Sequence, residues 1–293
     1  MKVVVTIPSF NEEKTIGKVI TNIKKVMGEN KLNYNILVID DGSKDKTREI
    51  AEKVGATVFS HPINYGLAET FRTEMKKALE LNPNVIVHID ADGQYLASDI
   101  PRLIKPITNK KADIVLGSRF KGKIEYMPLI KRVGNKVFSK AISNITGTKI
   151  SDGQTGFRAF TKEVASMDIR SDHTYTQEQI IKAIKNKFRL IEVPVYFAKR
   201  KDKSRLIRNP FDYAIKAWIN ILRIYRDYEP LKFFGRIGGL FLSLGFLIGL
   251  YFIYLHLTEG IVGHLGLLFL MIMFFFSGLQ IIFFGLLADK NRK

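Results

Sequence analysis

Apolar and polar positions follow two different rhythms along most of this chain, and a third takes over at its end. Val3 to Ile7 is a short apolar run stopped by Pro8-Ser9-Phe10-Asn11, which predicts a buried strand. From Glu12 to Met27 the period changes, with Ile16, Val19, Ile20 and Ile23 at helical spacing. Ile36 to Ile39 is a second strand and ends in Asp40-Asp41-Gly42-Ser43, after which Asp45 can cap a helix reaching about Val54. Ala56 to Phe59 predicts a strand, Gly66 to Leu81 a helix and Val85 to Ile89 a strand. Pro101 to Ile107 then predicts a short helix, and Asp113 to Leu116 a strand leading into a Gly117-Ser118-Arg119 turn. Strand and helix in alternation predict an α/β fold, a mostly parallel sheet with helices on both faces. Ligands bind beyond the carboxyl ends of such strands. The clusters Pro8–Glu12, Asp40-Asp41 and Asp90–Gln94 all fall there.

After Arg119 the rhythm changes. Met127 to Ile145 carries Leu129, Ile130, Val133, Val137, Phe138 and Ile142, interrupted by Lys131, Arg132, Lys136 and Lys140. This basic amphipathic pattern fits a helix packed on the sheet or one lying against anionic headgroups. Pro210 to Asp227 is a second such segment and holds the only Trp, Trp218. Ile237 to Leu257 is free of charge, and Ile261 to Ala288 is a second apolar run, each long enough to cross a hydrocarbon core of ~30 Å. A buried helical hairpin is the alternative, but Gly238 to Leu250 is apolar on every face. Lys232 and Arg236 precede the first run, Lys290, Arg292 and Lys293 follow the second, and the connection between them holds only Glu259, with His256 and His264 at the adjoining ends of the runs. The positive-inside rule therefore predicts two spans with both termini and the polar domain cytoplasmic.

Charge points the same way. The chain has 46 Lys+Arg against 28 Asp+Glu, a formal net charge of +18, which predicts anionic partners such as phosphates or a membrane surface. No nucleic-acid-binding motif accompanies it, so nucleic acid is not among the expected partners. The absence of Cys excludes disulfides and Cys-ligated zinc. Nothing at the N-terminus reads as a signal peptide. Within the polar part, Asp90 and Asp92 stand two apart at the end of an apolar strand, followed by Gly93 and Gln94. Hard oxygen ligands in this pattern suit Mg²⁺ or Mn²⁺ completed by substrate phosphates, and a solvated Asp-Gly turn is the alternative.

The motifs Ile7-Pro8-Ser9-Phe10-Asn11-Glu12, Asp40-Asp41-Gly42-Ser43-Lys44-Asp45, Asp90-Ala91-Asp92-Gly93-Gln94 and Gly117-Ser118-Arg119 resemble, in order and spacing, those of family 2 glycosyltransferases with the Rossmann-like GT-A fold. Asp152-Gly153-Gln154-Thr155-Gly156-Phe157-Arg158, Gln177-Glu178 and Glu192-Val193-Pro194-Val195 extend the resemblance to the dolichyl-phosphate mannose synthase and polyprenyl-phosphate glycosyltransferase branch. The resemblance covers about residues 2 to 206 and implies three parts: a GT-A catalytic domain over 1–206, a juxtamembrane amphipathic helix over 207–230 and a two-helix membrane region over 231–293.

It also implies roles. Pro8, Phe10, Glu12, Ile39 and Asp41 match nucleoside-binding positions, with Asp41 favoured over Asp40 for the base. Asp90, Ala91 and Asp92 match donor-diphosphate positions, and Asp90, Asp92 and Gln94 the Mg²⁺ or Mn²⁺ ligands. A basic loop completes the cradle with Arg200 and Arg205. Here the family's Gly is missing, Arg205 stands for Lys, and the first phosphate ligand is either Lys199 or Arg200. Arg119 and Arg132 match acceptor-phosphate ligands, and Arg suits phosphate forks. Asp152 and Glu178 match acidic positions assigned here to sugar hydroxyls or to orienting Arg158, with core or cap roles as the alternative.

The resulting expectation is inverting transfer of a hexose to dolichyl or another polyprenyl phosphate at the cytoplasmic membrane face, with Asp90, Asp92 and Arg119 as catalytic residues. The first-choice donor is GDP-mannose, and UDP-glucose or UDP-N-acetylglucosamine are the alternatives. A phosphate acceptor with a second pKa near ~6 is already largely ionised at neutral pH, so no catalytic His is expected. A processive synthase would carry Gln-x-x-Arg-Trp, which Lys216-Ala217-Trp218 does not provide. A non-catalytic membrane scaffold is the rival from another class, since fold alone never establishes activity. The sequence leaves a homo-oligomer open.

Overall fold

A computed structural model of the chain describes residues 1–172, 174–199, 210–259 and 265–290. Its strands are β1 (Lys2–Ser9), β2 (Asn33–Asp40), β3 (Thr57–Ser60), β4 (Val85–His88), β5 (Ile114–Ile124), β6 (Arg158–Phe160) and β7 (Leu190–Phe197). Between them run α1 (Ile16–Glu29), α2 (Thr47–Lys53), α3 (Leu67–Glu80), α4 (Ile100–Thr108), α5 (Leu129–Thr146), α6 (Lys162–Ala165) and α7 (Tyr175–Lys185), and α8 (Pro210–Tyr228), α9 (Pro230–Glu259) and α10 (Leu265–Lys290) follow. The chain divides into two compact units, Met1–Ala217 and Trp218–Lys293.

The first unit is built on one seven-stranded sheet in the order β3-β2-β1-β4-β6-β5-β7. β1 pairs in parallel with both β2 and β4, which puts the predicted polar clusters after these three strands on one rim. The apolar strand runs account for the core. Val3, Val5, Ile7, Val38, Val85 and Val87 are buried together with Ile16, Ile20 and Ile23, the helical-period face of α1. Strands buried on both faces read as continuous apolar runs, and helices need only one apolar stripe.

Two features depart from the sequence expectation. β5 does not end at Leu116 in a Gly117-Ser118-Arg119 turn. It continues extended to Ile124, and Gly117 and Ser118 pair with Val193 and Pro194 of β7. The glycines serve close strand approach, because a Cβ on Gly117 would lie 2.9 Å from Val195 Cγ1 and one on Gly122 would meet the Val195 carbonyl. β6 was not foreseen. Its three residues run antiparallel between β4 and β5, with His88 opposite Arg158. An antiparallel strand entering there carries the residues just before Arg158 past the end of β4, which is where Asp90 lies.

In the second unit α9 and α10 pack against each other through small residues. A Cβ on Gly238 would lie 2.6 Å from the Gly278 carbonyl, and one on Gly278 would lie 2.8 Å from Leu242 Cγ. At 1.5 Å per residue, helices of 30 and 26 residues reach about 45 and 39 Å, enough to span a bilayer core. Only 11% and 6% of their most apolar windows are buried, which a soluble core hairpin would not tolerate.

Candidate active site

The rim assembles from strand ends upward. Pro8 at the end of β1 pairs in register with Ile39 of β2, so two of the expected donor residues are neighbours. The following loops are tied to each other. Asn11, at φ +52°, donates its N–H to Ser43 Oγ at 2.8 Å and accepts the Lys44 N–H on Oδ1 at 2.8 Å. The Glu12 N–H donates to Thr47 Oγ1 at 2.7 Å, and Thr15 Oγ1 donates to the Glu12 carboxylate at 3.1 Å. Phe10 and Glu12 are both half-buried on this loop. Asp41 is buried, and its carboxylate accepts His61 Nδ1–H at 2.8 Å and the N–H groups of Tyr65 and Gly66 at 2.9 Å each. The Asp40 carboxylate is equally buried and receives a long 3.4 Å contact from the Ser43 N–H.

Asp90 and Asp92 follow β4, half-buried on either side of the buried Ala91. Asp92 Oδ1 accepts the Gln94 N–H at 3.0 Å, and Gln94 Nε2 is held by the Ala198 carbonyl at 3.0 Å. Asp92 also lines a cavity of about 380 Å³ with Glu12, Lys14, Lys18, Glu125 and Lys199. Against Asp90 stands Gly156, where a Cβ would lie 2.5 Å from Asp90 Oδ2. The Gly156 backbone is pinned from behind, since its N–H donates to Tyr95 Oη at 3.3 Å and Tyr95 Oη pairs with Thr155 Oγ1 at 3.2 Å. Burial raises the Tyr95 pKa, so the phenol stays a neutral hydrogen-bonding group at working pH. Tyr95 and Gly156 are the site residues that sequence reasoning missed. The Gly was quoted within a motif, but its contact with Asp90 depends on β6.

Substituting Gly156→Ala therefore pushes on a carboxylate rather than into open space. The expected result is about a tenfold fall in kcat with the fold retained, since small misplacements of a reacting geometry carry penalties of this order. Steady-state kinetics beside a circular dichroism spectrum checks it.

Arg119 is buried and belongs to a unit with Asp152. Its Nε and Nη2 donate to the two Asp152 oxygens at 2.7 Å each, and its backbone N–H adds a third bond at 3.0 Å. Its guanidinium also lies 5.2 Å from the Phe197 ring centre. Burial alone would lower the Arg119 pKa, but the carboxylates of Asp152 and Asp90 outweigh it and raise the pKa, so the cation is permanent. Asp152 is set in place by Glu192, whose Oε1 accepts the N–H groups of Ser151 at 2.8 Å and Asp152 at 3.0 Å, while Lys121 Nζ pairs with Glu192 at 2.9 Å. Removing one member of a buried ion pair leaves the other unpaired, so Asp152→Ala is expected to cost about 3–5 kcal/mol of stability. The fall in unfolding midpoint of the detergent-purified protein measures it.

Other expected residues fall elsewhere. Asp152 orients Arg119 rather than Arg158. Arg158 is instead held by neutral partners, the carbonyls of Thr155 and Thr176 and Gln179 Oε1. Burial lowers its pKa. The Glu178 carboxylate accepts the N–H groups of Arg170 at 3.1 Å and Ser171 at 2.7 Å and pairs with Lys182 at 2.6 Å. Arg132 is exposed on α5, whose outward face also carries Leu129 and Val133, 75% and 53% exposed. Arg200 and Arg205 lie outside the described residues.

The donor set fits a hard divalent cation. Asp90 and Asp92 offer carboxylate oxygens, and with Gln94 Nε2 engaged a cation would meet the carbonyl oxygen of that side chain. Among the described residues no cluster of three or more His, Cys, Asp or Glu forms a self-sufficient metal cage. One or two carboxylates completed by substrate phosphates is the pattern that Mg²⁺ or Mn²⁺ takes in phosphate-handling sites.

Comparison with known proteins agrees with this geometry. The family model described as "Glycosyl transferase family 2" matches residues 4–167. The chain belongs to this family and is a glycosyltransferase with the GT-A fold. It is 36% identical over 213 residues to a UDP-N-acetylglucosamine--dolichyl-phosphate N-acetylglucosaminyltransferase of Methanococcus voltae, covering 64% of this chain and 82% of that one. It is 30% identical over 292 residues to glycosyltransferase AglJ of Haloferax volcanii, covering 96% and 91%. Among solved structures it is similar to glucosyl-3-phosphoglycerate synthase of Mycobacterium tuberculosis in complex with Mn²⁺ and UDP-glucose, with TM-score 0.60 and 17% identity, covering 76% of this chain and 78% of that one.

Proposed function

We propose that the protein catalyses inverting transfer of a hexose from a nucleotide sugar to a polyprenyl phosphate of the dolichyl type at the cytoplasmic face of a membrane. The observation that carries this reading is one rim where the charge of Asp90 reaches the buried Arg119–Asp152 pair, in a chain with two bilayer-length helices. The Methanococcus voltae relative, named for a dolichyl-phosphate acceptor, supports the acceptor class.

In this reading Pro8, Phe10, Glu12, Ile39 and Asp41 hold the nucleoside, and Asp90, Ala91 and Asp92 face the donor diphosphate, with Arg200 and Arg205 as its expected basic ligands. Asp90, Asp92 and Gln94 would hold Mg²⁺ or Mn²⁺, which would supply positive charge to neutralise the departing nucleoside diphosphate. Arg119, fixed by Asp152, and Arg132 on the exposed face of α5 receive the lipid phosphate. A phosphate oxygen attacks C1 of the sugar, the C1–O bond to the diphosphate breaks, and the configuration at C1 inverts. The second pKa of a phosphate monoester lies near ~6, so the nucleophile arrives ionised and needs no protein base. That leaves Asp152 free to serve as partner of Arg119. Glu178, bonded to the 170–171 backbone, acts on the sugar side only through that loop. The first-choice donor GDP-mannose shares the site chemistry with UDP-glucose and UDP-N-acetylglucosamine, and the relative named for a UDP donor favours the uridine alternatives.

Comparing dolichyl phosphate with dolichol as acceptor tests the proposal, with the anomeric configuration of the product read by NMR. Product from the phosphate alone, inverted at C1, is expected. Equal use of the free alcohol, or no lipid product from any donor, contradicts it. The scaffold alternative gains support only if no donor is turned over.

A further inference from the structure

The carboxylate of Asp41 is close to saturated before a nucleotide arrives. An ionised carboxylate offers about four lone-pair directions. His61 Nδ1–H and the Tyr65 N–H both donate to Oδ1, at 2.8 and 2.9 Å, and the Gly66 N–H donates to Oδ2 at 2.9 Å. One direction on Oδ2 remains. These donors are not easily released. The His61 N–H bonds the Asp40 carbonyl at 2.8 Å, and His61 Nε2 accepts Thr73 Oγ1–H at 3.0 Å. Gly42, at φ +71°, presses on the same loop, where a Cβ would lie 2.5 Å from the Ile63 carbonyl carbon and 2.8 Å from the Asn64 nitrogen. The His61 ring is buried and packs at 5.0 Å on Tyr65.

We infer that His61 sets donor specificity, and that the donor carries a uracil-type base rather than guanine. The inference rests on the reading that Asp41 meets the base. Guanine presents two adjacent N–H donors on its Watson–Crick edge and is best matched by both oxygens of an open carboxylate, in the bidentate manner of other planar forks. Uracil presents one ring N–H between two carbonyl oxygens. A carboxylate with one free direction satisfies that N–H. The two N–H groups on Oδ1 also quench the charge that would otherwise repel a flanking uracil carbonyl. Guanine in the same place leaves an amino N–H without its acceptor, and a buried unsatisfied donor is costly. His61 thus acts through Asp41 as a positioning residue. The plain alternative, a buried His that merely braces the 61–66 loop, predicts no effect on the choice of base.

The test is calorimetric titration of UDP and GDP, each with Mn²⁺, into the detergent-purified full chain and three variants. In the wild type UDP is expected to bind at least about tenfold more tightly than GDP, the equivalent of one charged hydrogen bond. His61→Gln moves the amide beyond the Nδ1 position, frees Oδ1 and is expected to bring the two affinities within about threefold of each other. His61→Asn keeps an N–H at that position and is expected to preserve the preference, which also guards against simple unfolding. Equal or tighter GDP binding in the wild type overturns the inference, as does an unchanged ratio in His61→Gln. Asp41→Asn separates the two failures: if it alters neither affinity, the base reading of Asp41 falls and takes the inference with it. If it weakens both while His61→Gln leaves the ratio intact, only the role of His61 is lost.

Discussion

Asp92→Asn is expected to lower kcat by about 10³-fold, roughly 4 kcal/mol of transition-state stabilisation, while leaving the fold intact. The substitution is nearly isosteric and Asp92 is half-buried, so little packing changes. Asn Oδ1 can still accept the Gln94 N–H, which preserves the local turn. On the proposed reading it loses a negative oxygen toward a divalent cation, which would weaken the cation's grip on the leaving diphosphate. Charge develops on that diphosphate as the C1–O bond breaks, so the loss falls on the transition state more than on donor binding. Single-turnover kinetics separates the two. A drop confined to donor affinity, with the chemical step unchanged, contradicts the assignment.

The second large effect is on the acceptor side. Arg119→Lys is expected to reduce kcat/KM for the lipid phosphate about 10²-fold while changing donor affinity little. The Arg fork spans both Asp152 oxygens at 2.7 Å, and an ammonium cannot reproduce two parallel contacts and still face a phosphate. The charge remains, so a purely electrostatic role for Arg119 would be largely rescued by Lys. Near-normal activity in Arg119→Lys combined with loss in Arg119→Met would mean that charge rather than geometry matters.

Much of this was legible in the sequence because the physics is local. Apolar runs at β1, β2 and β4 and the 3.6-residue period of α1 and α3 declare themselves without tertiary help. Parallel order then forces their carboxyl ends to one rim. Asp90 and Asp92 stood out as candidates because two carboxylates at the end of a buried strand suit a hard cation, with a solvated Asp-Gly turn as the alternative. β6 was not legible, because three residues cannot establish a period and their antiparallel entry depends on β4 and β5 already being in place. The contact of Gly156 with Asp90, the clamp from Tyr95 and the pairing of Arg119 with Asp152 rather than Arg158 all follow from that strand. The extension of β5 was missed for a related reason. Gly117-Ser118 carries turn chemistry in isolation, and only the approach of β7 reveals that the glycine makes room for a neighbour. His61 lies twenty residues beyond Asp41, and no short-range pattern links them.

The central claim is that Asp90 and Asp92 hold a cation on a donor diphosphate while a lipid phosphate attacks the sugar. Its most direct test is transfer of labelled hexose to dolichyl phosphate by the purified chain, stripped with EDTA and then restored with Mn²⁺. Label should enter the lipid fraction only after the metal is restored, and Asp92→Asn should remain inactive at saturating Mn²⁺. Transfer at full rate in EDTA, or wild-type rates from Asp92→Asn, would contradict the account.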